Sequence, residues 1–180
     1  VTGGIHFDGF LDTCDALSSY KTMEEKLEIL KDSHAGAFAI LMGCCYFVLD
    51  YGVFHAVDLR AIRLLAIGYV LSRAFSGLAI VVFKKARKSG LAATFSDSAQ
   101  KKTVAVTMLL YIAACAVLMV LTDPVIGSLC FLTALLVFGW YRYMSYQKFG
   151  GITGDLAGFF LQVCELAMAF VTVIAIHLIG

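Results

Sequence analysis

Five apolar runs of about twenty residues, at 35–54, 61–83, 103–121, 125–143 and 156–179, constrain this chain most, because each has the length of an α-helix that crosses the hydrocarbon core of a bilayer. No water is available in that medium to satisfy backbone N–H and C=O groups, so each run must close its hydrogen bonds within itself as a helix. Charged residues make up only 15% of the chain, against about 25% in a soluble domain. The expected fold is therefore all-α, a polytopic integral membrane helix bundle with five transmembrane helices. It forms a single domain over 1–180, with 1–34 as a polar motif region outside the membrane and 35–180 as the bundle. The chain opens on Val1 without the charged-then-apolar pattern of a signal peptide, and a preceding N-terminal segment is expected.

Basic residues set the orientation. Lys84, Lys85, Arg87, Lys88, Lys101 and Lys102 flank or occupy the connection between the second and third runs, which the positive-inside rule places in the cytoplasm. Alternation then puts Lys21, Lys26, Lys31, Arg142 and Lys148 on the same side, leaving Arg60 and Arg63 opposite and Arg73 within a run. A net charge of +1, with no basic run interleaved with aromatics, excludes nucleic acid as a partner. The six cysteines include no Cys-x-x-Cys pair and lie mostly in apolar runs, where they read as small hydrophobes.

Against this apolar background, one stretch concentrates charge: His6-Phe7-Asp8-Gly9-Phe10-Leu11-Asp12-Thr13-Cys14-Asp15. Asp8, Asp12 and Asp15 are spaced i, i+4, i+7, so a helix would stack them on one face. Three like charges there repel unless something neutralises them. Either a divalent cation held by oxygen ligands, magnesium or manganese, does so, or the face is simply solvated. Farther on, Thr22 with Glu25 forms a capping-box pattern, followed by Met23, Leu27 and Leu30 at helical spacing. An amphipathic helix follows from that pattern, lying on the membrane surface or packing on the protein's own bundle.

A second constellation, Gly150-Gly151-Ile152-Thr153-Gly154-Asp155, sits where the last apolar run begins. Its glycines would let backbone N–H groups approach an anion at a helix N-terminus, which makes Gly150, Gly151, Thr153 and Gly154 a candidate phosphate cradle. A purely structural turn is the alternative. Asp155 is either a metal ligand on the same anion or a helix-start residue favouring the dipole. Arg73, mid-span beside Ser72, must face the bundle interior, to hold a substrate phosphate or to pair with an acid such as Glu165.

The stretch 2–15, Leu27-Glu28-Ile29-Leu30-Lys31-Asp32-Ser33, and 150–155 together resemble cobalamin synthases, the adenosylcobinamide-GDP ribazoletransferases, over essentially the whole chain. Ser72-Arg73 and the stretch 90–95 also match. Ala16, His34 and Gln162 depart from residues common in that family. The resemblance implies a magnesium-dependent membrane enzyme. It would join adenosylcobinamide-GDP to α-ribazole or its 5′-phosphate, release GMP, and work with its site loops at the cytoplasmic side of the cell membrane. It implies Asp8, Asp12, Asp15 and Asp155 as magnesium ligands, with one aspartate or His6 as base. Lys31, Asp32, Ser33 and Arg73 join the glycine loop as substrate contacts. Expected partners are the two substrates and membrane lipid, with a homo-oligomer or a complex with other cobalamin-assembly enzymes left open. The rival readings are another membrane phosphoalcohol transferase of the CDP-alcohol type, and a cation-coupled transporter. A transporter would spread its acids along a path through the spans rather than gather them at one face.

Overall fold

The computed structural model describes residues 4–32, 34–86 and 101–179. Seven helices occupy them: α1 Ile5–Ser18, α2 Met23–Ile29, α3 Ala37–His55, α4 Leu59–Val82, α5 Lys101–Thr122, α6 Pro124–Phe149 and α7 Gly154–Ile179. No strand forms among the described residues, and the one extended contact is a parallel bridge between Lys85 and Ile152. Helices α3 to α7 are each long and apolar enough to cross a membrane. The expected spans are thus matched to within a few residues except at α6, which runs on to Phe149. There Tyr141, Arg142, Tyr143, Gln147 and Lys148 carry the helix beyond its apolar part, and it stops only where Gly150 takes a left-handed conformation (φ 72°). The Gly150 N–H then donates to Tyr146 O and the Gly151 N–H to Ser145 O, closing the last carbonyls of the helix.

Helix α7 is central, packing on α1, α4 and α6, whereas α3 and α5 present long apolar flanks such as Phe47, Val48, Leu110 and Leu121 to the surroundings. In a bilayer those flanks meet lipid, so the chain is a multi-pass membrane protein. The short α2 starts on the expected capping box: the Thr22 N–H donates to Glu25 Oε2 (2.9 Å), and Thr22 Oγ1 accepts from the Glu25 N–H. Of its two readings, packing on the protein is the one observed, since Leu30 is buried, Leu27 is half-buried against the core, and the Met23 sulfur lies against Gly150.

At the end of the bundle away from α1, Asp123 caps α6 by accepting from the N–H groups of Val125 (3.1 Å) and Ile126 (2.9 Å). The same carboxylate pairs with Arg60 at the start of α4, which ties the two helix starts together. These contacts hold the Asp123 carboxyl below the usual carboxylate range, the helix N–H of Ile126 first and the Arg60 guanidinium after it. Asp123→Ala removes both the cap and the buried partner of Arg60. We expect it to cost about 1 to 3 kcal/mol in reversible denaturation, and Arg60→Gln to cost less because the cap survives.

Candidate active site

Helix α1 lies over the start of α7, and the two backbones touch. A Cβ on Gly9 would stand 2.7 Å from the Asp155 carbonyl oxygen and 2.8 Å from its Cα, and a Cβ on Gly158 would stand 2.9 Å from the His6 carbonyl oxygen. Only glycine permits helices to come so close. The crossing brings the acidic stretch and the second constellation together across 140 residues of chain.

Asp12, half-buried on α1, registers what has been gathered. Its carboxyl is pushed up to about 6, by burial first and then by the negative charges of Asp8, Asp155, Asp15 and Asp32. Asp8 is exposed. Asp15 has a second occupation: its carboxylate accepts from the N–H groups of Gly36 (2.5 Å) and Ala39 (2.9 Å), capping α3 from twenty-one residues away. A Cβ on Gly36 would collide with that carboxylate. Cys14 is buried beneath this face, its thiol pushed up to about 12 by burial and by Asp15, which leaves it inert as a nucleophile.

The glycine loop departs from a free anion cradle. The N–H groups of Gly150, Gly151 and Ile152 donate to Tyr146 O, Ser145 O and Lys84 O, so these three amides hold the loop to α6 and to the end of α4. Gly151 presses on the 84–86 backbone so closely that a side chain could not fit. Thr153 is the cap of α7, its hydroxyl accepting from the Leu156 N–H (3.2 Å). Asp155 sits in the first turn of α7, where its charge favours the helix dipole, accepts from the Thr153 hydroxyl (3.4 Å) and adds to the negative charge felt by Asp12.

Of the two readings of Arg73, pairing is observed. Its guanidinium donates to Glu165 on α7 and to Ser72 Oγ (3.0 Å), and Ser72 Oγ donates to Glu165 Oε1 (2.7 Å). Arg73 also acts on His6: burial first, then the Arg73 charge, lowers the ring from its ordinary value, so His6 is a neutral imidazole that can accept a proton. Lys31 pairs with Glu28 at 2.5 Å, and His34 Nδ1 lies 2.7 Å from Asp32 Oδ1, holding the Asp32 carboxyl low. Ser33 and the stretch 90–95 fall outside the described residues.

The donors at the crossing are hard carboxylate oxygens whose negative charges add to burial in raising Asp12, and that chemistry suits a hard divalent cation. Their arrangement is not a finished coordination sphere: among the described residues no three His, Cys, Asp or Glu side chains form a ready metal-binding group. Sequence reasoning missed the Asp15 cap of α3, the Ser72–Glu165 bond and the reciprocal glycines. Gly9 among the acids of α1 and Gly158 within the last apolar run were the visible signals of a close helix approach, whereas Gly154 meets open space.

The sequence model of the cobalamin-5-phosphate synthase family matches residues 1–173. The chain belongs to that family. An adenosylcobinamide-GDP ribazoletransferase of Lachnoclostridium phytofermentans is 48% identical over 97% of this chain and 67% of its own length. Proteins of the same description from Geobacillus sp. WCH70 and from Clostridium botulinum (strain Alaska E43 / Type E3) are each 31% identical, over 92% and 94% of this chain and 64% and 68% of theirs. The chain thus spans about two thirds of the length of these curated relatives. No solved structure matches.

A carboxyl that binds its proton more tightly when folded than when unfolded supports the fold below its unfolded value and loses that support as pH rises through the folded one. The metal-free protein should therefore lose thermal stability between about 4, the ordinary aspartate value, and the raised value of about 6 at Asp12. Asp12→Asn should flatten that step in a melting series, and a step of undiminished size would assign it to another group.

Proposed function

We propose that this chain performs the transfer for which its relatives are named. On this reading it joins adenosylcobinamide-GDP to α-ribazole or α-ribazole 5′-phosphate and releases GMP, at the cytoplasmic face of the cell membrane. The observation that carries the reading is the α1–α7 crossing, which lays the helix carrying Asp8, Asp12 and Asp15 against the first turn of α7 with Asp155, in a chain matched to the family along nearly its whole length. The basic residues of 84–85 and 101–102 lie at the end of the bundle where α1 sits, which supports a cytoplasmic site.

In the reaction a ribose hydroxyl oxygen forms a bond to the phosphorus that carries cobinamide. The bond from that phosphorus to the bridging oxygen breaks, and the oxygen leaves with GMP. Asp8, Asp12 and Asp155 would hold the magnesium ion, with Asp15 adding charge while it caps α3. When bound, magnesium supplies neutralisation of the pyrophosphate charge and of the charge developing on the leaving oxygen. The hydroxyl proton has two acceptors within the site, an aspartate carboxylate and the neutral imidazole of His6. Helix α7 points its N-terminus at the same place, favouring an anion there. Arg73, held by Glu165 and Ser72, adds a positive charge beneath α1. Gathering of the acids at one end of the bundle, rather than along a path through it, favours a transferase over a transporter.

Incubating the purified protein with adenosylcobinamide-GDP, α-ribazole phosphate and magnesium should release GMP, and chelation should stop the release. Asp8→Asn and Asp12→Asn should each reduce turnover by about a hundredfold or more without loss of folded protein. Full turnover in both variants, or the absence of GMP with the unaltered protein, would reject the reading.

A further inference from the structure

Two glycines stand where the acids of α1 meet Asp155, and their contacts are with main-chain atoms. Gly9 follows Asp8 directly and rests on the backbone of Asp155 itself, while Gly158, one turn into α7, rests on the backbone of His6. Main chain cannot swing aside as the tip of a flexible side chain can. A methyl group at either position must push α1 away from α7. Asp15 ties α1 to the start of α3 rather than to α7, so that hydrogen bond would not resist the shift. The separation between Asp155 on one helix and Asp8 and Asp12 on the other is thus set by the absence of two side chains.

We infer that Gly9 and Gly158 are positioning residues that fix the spacing between Asp155 and the Asp8–Asp12 pair, and so the affinity of the site for a divalent cation. This rests on the reading of those acids as metal ligands given above. A role in packing alone would make the two glycines equivalent to any other close helix contact in the bundle. Gly127 supplies that comparison: its Cβ would collide with the Met119 carbonyl between α5 and α6, at the opposite end of the molecule.

The test uses the full chain in detergent, with Mn2+ alone as the probe and electron paramagnetic resonance to count free ion. Gly9→Ala and Gly158→Ala should each weaken Mn2+ binding by about tenfold or more, the range seen when groups that orient ligands are altered. Gly127→Ala should lower the melting temperature and leave Mn2+ affinity as it was. Adding Asp155→Glu to Gly9→Ala should recover part of the affinity, because a longer acid spans a wider gap. Unchanged Mn2+ affinity in both alanine variants overturns the inference. So does a loss that Asp155→Glu leaves unrepaired, or a failure of the unaltered chain to bind Mn2+. Should the alanine variants fail to fold, Asp155→Glu in the otherwise native chain decides: fixed spacing predicts weaker binding, and unaltered binding is a refutation. Release of GMP is scored separately. A chain that binds Mn2+ with glycine-dependent affinity yet releases no GMP sinks the functional reading and leaves this one standing.

Discussion

Where α1 crosses the start of α7, two backbones come within contact distance, and the character of the whole molecule follows from what that contact brings together. A bilayer-spanning bundle has little use for charge along most of its length. Five carboxylates are nevertheless assembled at one end, on α1, on the turn after α2 and on the first turn of α7. They repel one another, so the crossing must be held by other forces. The apolar face of α1 supplies them, with Phe10 buried and stacked on Phe159 of α7 at 5.6 Å between ring centres, and with Phe7 and Tyr46 against it. An aromatic underside and an acidic upper side on one fourteen-residue helix are what let it sit as a lid on the bundle.

The connections at the same end are organised to keep that lid in register. The 84–86 segment leaving α4 is bonded to Ile152 in both directions, Ile152 N–H to Lys84 O and Ala86 N–H to Ile152 O, each at 2.9 Å. The phenol of Tyr146 accepts from the Lys84 N–H at 2.7 Å. The start of α7 is therefore fixed by α4 and α6 before α1 is laid on it, and the glycines at 150 and 151 serve this stitching.

The bundle itself was plain in the sequence, because membrane spans are long, apolar and closed within themselves, and their signal does not depend on partners. The Thr22–Glu25 cap was legible for the same local reason. The site was legible only in part. The spacing of Asp8, Asp12 and Asp15 gave the shared face, yet spacing says nothing of what lies opposite, and Asp15 turned out to cap α3 as well. Gly150 and Gly151 read as a cradle because glycine permits an anion's approach, but Gly150 serves as the left-handed end of α6 and Gly151 admits the backbone of 84–86 instead. Arg73 and Glu165 were each recognisable as costly, and their separation of 92 residues left the pairing one option among others.

That pair has a bearing on how the protein enters its membrane. Each of α4 and α7 carries a charge in mid-span that costs about 2.5 to 3.5 kcal/mol to place there unaccompanied. Helix α4 leaves the ribosome ahead of α7, and Arg73 precedes its counter-charge by 92 residues. Until α7 arrives, Arg73 has its own helix's Tyr69 carbonyl and Ser72 hydroxyl for company. Arg73 is thus left without its acid until α7 follows it into the membrane.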